Sequence, residues 1–569
     1  MGLLDSLHIG ASSLRAHQAA IQVTGNNIAN AATEGYTRQE AILEPLGSSR
    51  LSYTSSTGTG VELAGVRRMI DEALEQRLNN AYSQMQRYQV TDEAMARIES
   101  LMNELSDTDL SSAMTELFNG FSALGQSPTN SGARDTVLQQ AQTVCERFHH
   151  IRNGIIDLQD ELTDKLDNAV IEADRLAGEI AALNVKISDA ESGERSAPSL
   201  RDQRDALVRR LSELVKITTK EDANGMLNVW IASQPLVSDG RSRGLTLIQA
   251  EVDGQLKRVV AFADNSTLAT LHGGQITGLQ ATRDGEVAQV AERLDLLANQ
   301  LIWQVNRLHS SGSPLDGFTR VTGTYGVEDA TVALDSPDTN LRYAPANGSF
   351  LVKVISTGSD GTLSAQTTKI DVPLKGNPTD MTFNDLLAAL NAVNGVTAST
   401  DASGKLTVQA SAPGTTIGFA EDSSGVLAAL GINTFFDGCA AYDIKVNPEV
   451  AANANRIAAG LTEAEGDGDN ALAIAQLASQ DIAALSGVSL TEYQQRLTSD
   501  VAVWTAGARD TATANEVVYE GLLAQRESIS GVSLDEEAVN LLTYQRAFQG
   551  AARFITVVDE LLQTLLAMT

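Results

Sequence analysis

The run GVSLDEEAVNLLTYQRAF, residues 531–548, decides the fold of this chain. From Leu534 onward, apolar residues recur every seven positions, and a second core position lies three or four positions away. This stripe consists of Leu534, Leu541, Tyr544, Phe548, Ala551, Ile555, Val558, Leu562 and Leu565. Ser533 and Glu536 have the spacing of a capping box. The pattern predicts an amphipathic helix over about 534–567 with a coiled-coil seam.

The other end of the chain carries a weaker stripe of the same kind. Its seven-residue steps fall on Leu7, Leu14, Ile21 and Ile28. Gln18 and Gly25 interrupt its second core position. Two uses of the stripes stay open, because they can pair within one chain or pack against neighbouring subunits. The C-terminal helix has surplus apolar residues, including Leu542, Val557 and Leu561, and this surplus favours contacts between subunits.

Helical and strand patterns alternate between the two ends. Spacings of three and four residues predict long helices over 74–102 and 162–187, with further helices at about 200–215, 284–310, 471–485 and 499–528. Short β-rich runs at 227–231, 245–248 and 259–262 are separated by turn residues. An insert at 313–442 shows strand, helix and strand patterns. The predicted class is multidomain α+β, in which terminal and central α-helical coiled-coil and bundle elements carry inserted β-rich and small α/β outer domains.

The composition excludes several classes of protein. The chain has 569 residues and a formal net charge of −31, which argues against nucleic acid or an anionic membrane surface as the main partner. The two cysteines, Cys145 and Cys439, are too far apart for a disulfide framework or a metal knuckle. The sequence contains no apolar run of 18 residues and no secretory signal pattern, so composition alone points to a large acidic cytosolic protein.

Individual motifs do not support a catalytic or metal site. His149 and His150 are adjacent but lack a third ligand at suitable spacing, so histidines on a helix are the better interpretation. The run 467–470 lacks the alternating ligands of a calcium loop and its closing Glu. Motifs of zinc proteases, serine hydrolases and cysteine nucleophiles are absent from the sequence. We therefore expect neither an enzyme nor a bound cofactor.

The segment after the first helix is the second informative run, NNIANAATEGYTR, residues 26–38. Asn and small residues weaken the helix, and Gly35 can supply the left-handed turn that ends it. This run resembles the N-terminal motif of flagellar axial proteins, the rod, hook and hook-associated proteins, and 531–565 resembles their C-terminal motif. Internal runs at 200–205, 430–436 and 447–449 extend the resemblance over the chain. It implies an assembly interface that comprises Leu7, Leu14, Ile21, Asn26, Asn27, Ile28, Asn30, Gly35, Leu541, Tyr544, Phe548, Ile555, Val558, Leu562 and Leu565.

The resemblance also implies a function and a location. It implies a structural protein that joins the flagellar hook to the filament as a helical ring of copies. The implied partners are further copies of the chain, the hook protein, hook-associated protein 3 and an export chaperone that binds the C-terminal helix. Export by the flagellar type III apparatus, without a cleaved signal, would place the protein outside the cell. Another axial protein, such as the hook protein or hook-associated protein 3, and a secreted adhesin or enzyme on a coiled-coil stalk stay as alternatives.

Domain boundaries follow from the same patterns. The terminal helical domain, expected to form an inner tube, comprises 1–65 and 525–569. A long-helix bundle comprises 66–215, 283–312 and 443–524, a β-rich unit spans 216–282, and the outer α/β domain spans 313–442. The ends are nearly neutral, with net charges of −1 over 1–50 and −3 over 525–569, while 442–524 carries −8. This distribution suits ends that are buried in an assembly and an acidic middle that faces solvent.

Overall fold

The computed structural model describes residues 3–33, 35–52, 55–102, 109–192, 196–252, 254–357, 363–377, 379–462, 464 and 466–568. The chain divides into two compact units. Unit 1 comprises Met1–Glu93, Glu161–Arg283 and Gly507–Thr569. Unit 2 comprises Ala94–Asp160 and Asp284–Ala506.

Helices dominate the secondary structure. In chain order they are α1 (Leu3–Ala29), α2 (Glu72–Met102), α3 (Leu110–Gln126), α4 (Ser131–Glu191), α5 (Pro198–Leu214), α6 (Gln275–Thr282), α7 (Ala288–Ser310), α8 (Phe383–Asn391), α9 (Val426–Leu430), α10 (Pro448–Ala452), α11 (Asp469–Gln476), α12 (Leu490–Ser530) and α13 (Leu534–Met568). The helix predicted at the C-terminal end is confirmed by α13. Within the described residues, no helix combines the length and the apolar character that a membrane span requires.

Two helix predictions need correction. The pattern over 162–187 marks only the second half of α4, which has 61 residues and begins at Ser131. The helix predicted over 471–485 is too long, since α11 ends at Gln476. The rest of the predicted range contains a short 3-10 turn, Ala483–Leu485, which a tight turn follows: Ser486 and Gly487 have positive φ angles of 62° and 76°. This turn lets Ile482 pair with Val488 as an isolated antiparallel bridge.

The strands form several small antiparallel sheets. They are β1 (Gln39–Pro45), β2 (Ser48–Ser52), β3 (Ser55–Gly58), β4 (Val61–Arg68), β5 (Ile217–Glu221), β6 (Leu227–Ile231), β7 (Gln234–Ser238), β8 (Arg241–Ser242), β9 (Leu245–Val252), β10 (Gln255–Phe262), β11 (Arg320–Gly326), β12 (Gly348–Thr357), β13 (Leu363–Val372), β14 (Val396–Thr400), β15 (Lys405–Ala410), β16 (Thr415–Ala420), β17 (Phe436–Asp437) and β18 (Lys445–Val446). In unit 1, β1 pairs with β4, β2 with β3 and β9 with β10, and β5–β8 follow each other in one sheet. In unit 2 the orders are β11-β15-β14, β13-β12-β16 and β17-β18. The α+β class predicted from the sequence is confirmed.

The core of unit 2 joins the inserted sheets to the end of α7. Asn306 accepts hydrogen bonds from the backbone N–H groups of Phe435 and Phe436, at 3.0 and 2.8 Å. The Phe435 ring lies 5.2 Å from Phe121 in an edge-to-face arrangement. His309, fully buried, lies 2.8 Å through Nδ1 from the Asn433 carbonyl oxygen. The run 430–436, noted in the sequence, is therefore a core segment that ties the insert to the helices of unit 2.

Candidate functional site

The terminal helices α1 and α13 pack side by side in antiparallel orientation within unit 1. Near the end of α1, Asn27 Nδ2 donates to Glu537 Oε2 at the start of α13, at 2.9 Å. Near the start of α1, a Cβ atom added to Gly10 would lie only 2.5 Å from Ile555 Cγ1. These two contacts fix the register of the pair. Intrachain pairing of the two stripes, left open by the sequence, is present in the structure.

Small and short polar side chains form the buried seam of α1. Its buried residues are Gly10, Ala16, Ala20, Thr24 and Asn27. The larger residues of the predicted stripe flank this seam and are half-buried: Leu7, Leu14, Ile21 and Ile28. On α13, Val558 is buried. Five of the predicted positions on α13 are half-buried, namely Leu541, Tyr544, Phe548, Ile555 and Leu562, and Leu565 is exposed. Small residues in the seam let the two backbones approach closely, while the flanking apolar side chains stay partly accessible.

A sharp corner follows α1. Asn30 Nδ2 donates to the Asn26 carbonyl oxygen and side-chain oxygen, both at 2.9 Å, and Asn26 itself is exposed. Gly35 has φ of +78°, a backbone conformation that residues with a Cβ rarely adopt. The chain then turns into β1 at Gln39. The Asn-rich run therefore ends the helix and directs the chain back along it.

Asn27 is the centre of this corner and is only 1% exposed. Its Oδ1 atom accepts from the Tyr36 hydroxyl at 2.9 Å and from the Gln39 backbone N–H at 3.0 Å. Its Nδ2 atom donates to the Gln39 carbonyl oxygen at 2.8 Å and to Glu537. Two donors and two acceptor sites are thus all used, so no isosteric residue reproduces the set. One buried amide joins α1, β1 and α13.

Arg38 closes the corner from the other side. Its Nε atom donates to Glu537 Oε1 at 2.9 Å, and its Nη1 atom donates to Glu536 Oε2 at 2.8 Å. Glu537 is 2% exposed. Its Oε2 atom accepts from the buried Asn27 amide, and its Oε1 atom accepts from the half-buried Arg38. Burial, aided by the nearby carboxylates of Asp202 and Glu537, raises the pKa of Tyr36 to about 12. The Tyr36 phenol therefore remains a proton donor at physiological pH.

The interface predicted from the sequence omits Tyr36, Arg38 and Glu537. All three lie in the two quoted motifs. The opposite charges of residues 38 and 537 were the one sequence feature that could have indicated a contact between the motifs. The capping box at the start of α13 is weaker than its spacing suggested, since the Glu536 N–H lies 3.5 Å from Ser533 Oγ. The Glu536 carboxylate instead accepts from Arg38. The local capping interaction is therefore weak, and Glu536 instead pairs with a residue 498 positions away in the sequence.

Ion pairs tie the corner to α5, which contains the run noted at 200–205. Arg68, at the end of β4, contacts Asp202 at 2.9 Å and also pairs with Asp205. Arg526, near the end of α12, donates to Glu75 of α2 at 2.8 Å. These partly buried pairs hold the terminal corner against the helices of unit 1.

Much apolar surface of α13 is exposed despite this pairing. Leu542, Val557 and Leu561, the residues expected to be surplus, are 56%, 52% and 51% exposed. Further large apolar residues exposed on the same helix are Leu534, Val539, Phe554, Leu565, Leu566 and Met568. Exposed apolar surface of this extent on one helix is typical of a protein–protein interface.

The other residues considered in the sequence are the two cysteines and the run 467–470. Within the described ranges, no group of three or more His, Cys, Asp or Glu residues is placed to hold a metal ion. Cys145 and Cys439 are free thiols, the first buried and the second half-buried. Asp467 Oδ2 accepts from the backbone N–H of Leu461 and of Thr462, at 3.0 and 2.6 Å. The Asp467 carboxylate therefore stabilises a turn, because backbone N–H donors occupy the positions in which a cation would have to bind.

Three family models match the chain. The helical domain of the flagellar hook-associated protein FlgK matches residues 95–323. The C-terminal model of the flagellar basal body rod FlgEFG proteins matches residues 524–568, and the flagella basal body rod protein model matches residues 7–37. The last two models cover α13 and α1, the elements that form the site.

Curated relatives match along nearly the whole chain. The chain is 27% identical to flagellar hook-associated protein 1 of Bacillus subtilis over 97% of this chain and 95% of that protein. It is 26% identical to the protein of the same name from Salmonella typhimurium and 24% identical to that from Escherichia coli, over 98% of each chain. Among solved structures, the flagellar hook junction protein FlgK of Burkholderia pseudomallei has a similar fold. It gives a TM-score of 0.50 at 16% identity and covers 80% of this chain and all of that one.

Proposed function

The chain belongs to the flagellar hook-associated protein 1 family, and we propose that it self-assembles helically through α1 and α13. It is a structural component of the bacterial flagellum, and this assembly joins the hook to the filament. The exposed apolar surface of α13 carries this proposal. Pairing with α1 leaves Leu542, Val557 and Leu561 half exposed or more. Burial of such side chains contributes about 1.5–3 kcal/mol each, and neighbouring copies supply the cover.

The assembly is heterologous in this proposal. Each copy presents one surface to the next, the rotation does not close on itself, and a tube results. The terminal domain, 1–65 with 525–569, forms the inner layer and the long-helix bundle surrounds it. The β-rich unit 216–282 and the α/β domain 313–442 face outward. The nearly neutral ends suit the buried layer, and the acidic middle suits the solvated one.

The specific partners and the export route belong to the same proposal. The ring of copies meets the hook protein on one side and hook-associated protein 3 on the other. A chaperone binds α13 before export, since an exposed apolar helix in the cell invites aggregation. The chain leaves through the flagellar type III apparatus without a cleaved signal, and it resides outside the cell. Its role is structural rather than enzymatic, as in its relatives.

A charge on the exposed face of α13 tests the assembly surface. Val557→Asp is expected to leave the fold and secretion intact and to abolish retention at the hook–filament junction, because a carboxylate would be buried between copies. Ile171→Asp is the matched control, since Ile171 is an exposed apolar residue of α4, 68% accessible. The measurement is the amount of protein in hook–basal-body preparations compared with sheared filaments. Normal secretion with full-length, motile filaments in the Val557→Asp strain would refute the surface.

A further inference from the structure

A groove in unit 2 is rich in aromatic and amide side chains. Three segments line it: the second half of α7, residues 342–344 and residues 480–484. Its volume is about 580 Å³, within the range of roughly 300–1,000 Å³ that ligand pockets occupy. Two of its 13 lining residues, Trp303 and Tyr343, are aromatic, against 4% of the whole chain. We call it the aromatic–amide groove, and its composition sets it apart from the rest of the chain.

The two aromatic rings form a fixed platform. Trp303 and Tyr343 stack with their ring centroids 4.6 Å apart and their planes at 11°. Asn299 holds the Tyr343 hydroxyl, because its Nδ2 atom donates to that oxygen at 3.2 Å and its carbonyl oxygen accepts from the hydroxyl at 3.2 Å. Trp303 is half-buried, so part of its indole is accessible in the groove. The faces of aromatic rings carry a negative potential, which attracts the C–H groups of a ligand.

A chain of amide side chains lies beside this platform on α7. Asn299 Nδ2 also donates to the Cys439 carbonyl oxygen at 3.0 Å, and Gln300 Nε2 donates to Asn299 Oδ1 at 3.1 Å. Gln304 Nε2 in turn donates to Gln300 Oε1 at 3.4 Å. The chain ends there, since Gln304 Oε1 has no hydrogen-bond partner within the described ranges. The groove therefore contains a positioned acceptor that the protein itself does not use.

The charged residues of the groove are few and of both signs. Arg307 and Asp481 are exposed, and neither side chain has an ion pair or hydrogen bond among the residues that the structure describes. Arg342 contacts Asp443 at 3.4 Å. With two arginines and one aspartate, the lining has a formal charge of +1. Free donors and acceptors are present together, without the concentration of positive charge that recognises a phosphate group.

We propose that the aromatic–amide groove binds a short neutral saccharide made of pyranose units with equatorial hydroxyl groups. Such a ring has faces of C–H groups and a rim of hydroxyls, each of which can donate and accept a hydrogen bond. The C–H face stacks on Trp303, and the hydroxyls accept from Arg307 and donate to Gln304 Oε1 and Asp481. The inference goes beyond the proposed assembly, which uses α1 and α13 of unit 1.

Saturation-transfer NMR on the purified full chain tests the binding. The probes are cellobiose and N,N′-diacetylchitobiose, with AMP as the comparison, because a nucleobase also stacks on aromatic rings. We expect saturable binding of at least one saccharide, weakened about fivefold by Arg307→Ala and by Gln304→Ala, since each removes one hydrogen-bonding group. Trp303→Leu should remove most of the binding. Arg320→Ala is the matched control, because Arg320 is an exposed arginine of unit 2 outside the groove.

The outcomes separate the site from the class of its ligand. No saturation transfer to either saccharide at up to about 10 mM overturns the proposal. Equal affinity of the unmodified chain, Arg307→Ala and Gln304→Ala overturns the site, and these two substitutions keep the test decisive if circular dichroism shows that Trp303→Leu is misfolded. Tighter binding of AMP than of both saccharides overturns the ligand class. Arg307→Ala and Gln304→Ala should both be retained at the junction in normal amounts, so failure of the proposed assembly is read separately.

Discussion

Single buried polar residues determine how the two ends of this chain meet. Asn27 and Glu537 are 510 positions apart, yet Asn27 Nδ2 donates to Glu537 Oε2 within a nearly inaccessible corner. The sequence identified Asn27 only through the run 26–38, which resembles the N-terminal motif of flagellar axial proteins. Glu537 could be recognised from the sequence only as an acidic residue in the first turn of a helix. Its role depends on a partner from the other end of the chain, which local spacing does not reveal.

Loss of the Glu537 charge should weaken the corner. Glu537→Gln removes the ion pair with Arg38 and leaves an amide group beside Asn27, so the pairing of α1 with α13 should lose about 1–3 kcal/mol. Glu536→Gln is the control, since that carboxylate is 62% exposed and its pair with Arg38 should contribute less than about 1 kcal/mol. Amide hydrogen exchange over 538–545 measures both. Equal effects of the two substitutions would contradict the assignment of Glu537 as the buried partner.

His309 should make unit 2 sensitive to mild acid. Its Nε2 atom accepts from the Ala458 N–H at 2.9 Å, so the bonded ring is neutral with the proton on Nδ1. Burial lowers the pKa of His309 to about 4, against an ordinary value of 6.5. A depressed histidine pKa gives stability that is present above pH 6.5 and lost as pH falls towards 4. The shift corresponds to a loss of about 3 kcal/mol.

Urea unfolding at pH 7.5 and at pH 5 checks the histidine. The free energy of unfolding of unit 2, followed by the fluorescence of Trp303 and Trp504 in a Trp230→Phe variant, should fall from pH 7.5 to pH 5, before most carboxylates titrate. His150→Gln should keep this fall, because His150 is exposed on α4. A free energy of unfolding that is flat from pH 7.5 to 5 would show that the pKa of His309 is not lowered in the folded protein.

At the scale of elements, periodicity predicted α13 well and the packing face of α1 less well. The seven-residue steps of α1 select its largest apolar residues, but the structure buries Gly10, Ala16 and Ala20 and leaves Leu7 half-buried. The periodicity of apolar residues shows which face of a helix carries the large apolar side chains. A close helix–helix approach instead needs small residues at the contact, and composition alone does not show which face has them. The first half of α4 has the same spacing, with Val137, Val144, Ile151 and Leu158 buried at seven-residue steps, so periodicity could have predicted it as well.

Two glycines of α1 test this packing. Gly10→Ala forces a Cβ against Ile555, whereas Gly25 has no heavy atom within 4 Å of a built Cβ. Gly25→Ala should therefore stabilise α1 by about 0.5–1 kcal/mol through helix propensity. Gly10→Ala should cancel or reverse that gain, since overpacking costs about 1–3 kcal/mol. Helicity and amide exchange of α1 measure the two effects, and equal stabilisation by both substitutions would show that α1 and α13 do not approach closely at Gly10.

At the scale of the whole molecule, the charge distribution and the burial pattern agree. A net charge of −31 looked like one property of a large acidic protein, but the two ends that form the α1–α13 pair are nearly neutral. Those ends also carry the most exposed apolar helix. Most of the long helices and the strands at 227–231, 245–248 and 259–262 were predicted from periodicity, and the family from two short motifs, whereas β1–β4 and α3 were not predicted. The corner, the ion pairs of α5 and the core segment 430–436 could not be predicted, because each depends on residues brought together by the fold.

In the free chain, the free energy of local opening should therefore be much lower for α13 than for α4. Among the described residues of α13, Glu537 and Val558 are the buried ones, whereas α4 completely buries Leu166, Leu176 and Ile180. A long helix with few buried side chains opens at low free-energy cost, because packing rather than propensity stabilises helices in water. In the monomer, amides over 541–565 should exchange much faster than those over 162–187, and they should become protected in isolated junctions. Strong protection of 541–565 in the monomer would mean that α1 alone stabilises α13, and the exposed apolar face would then need no neighbouring copy.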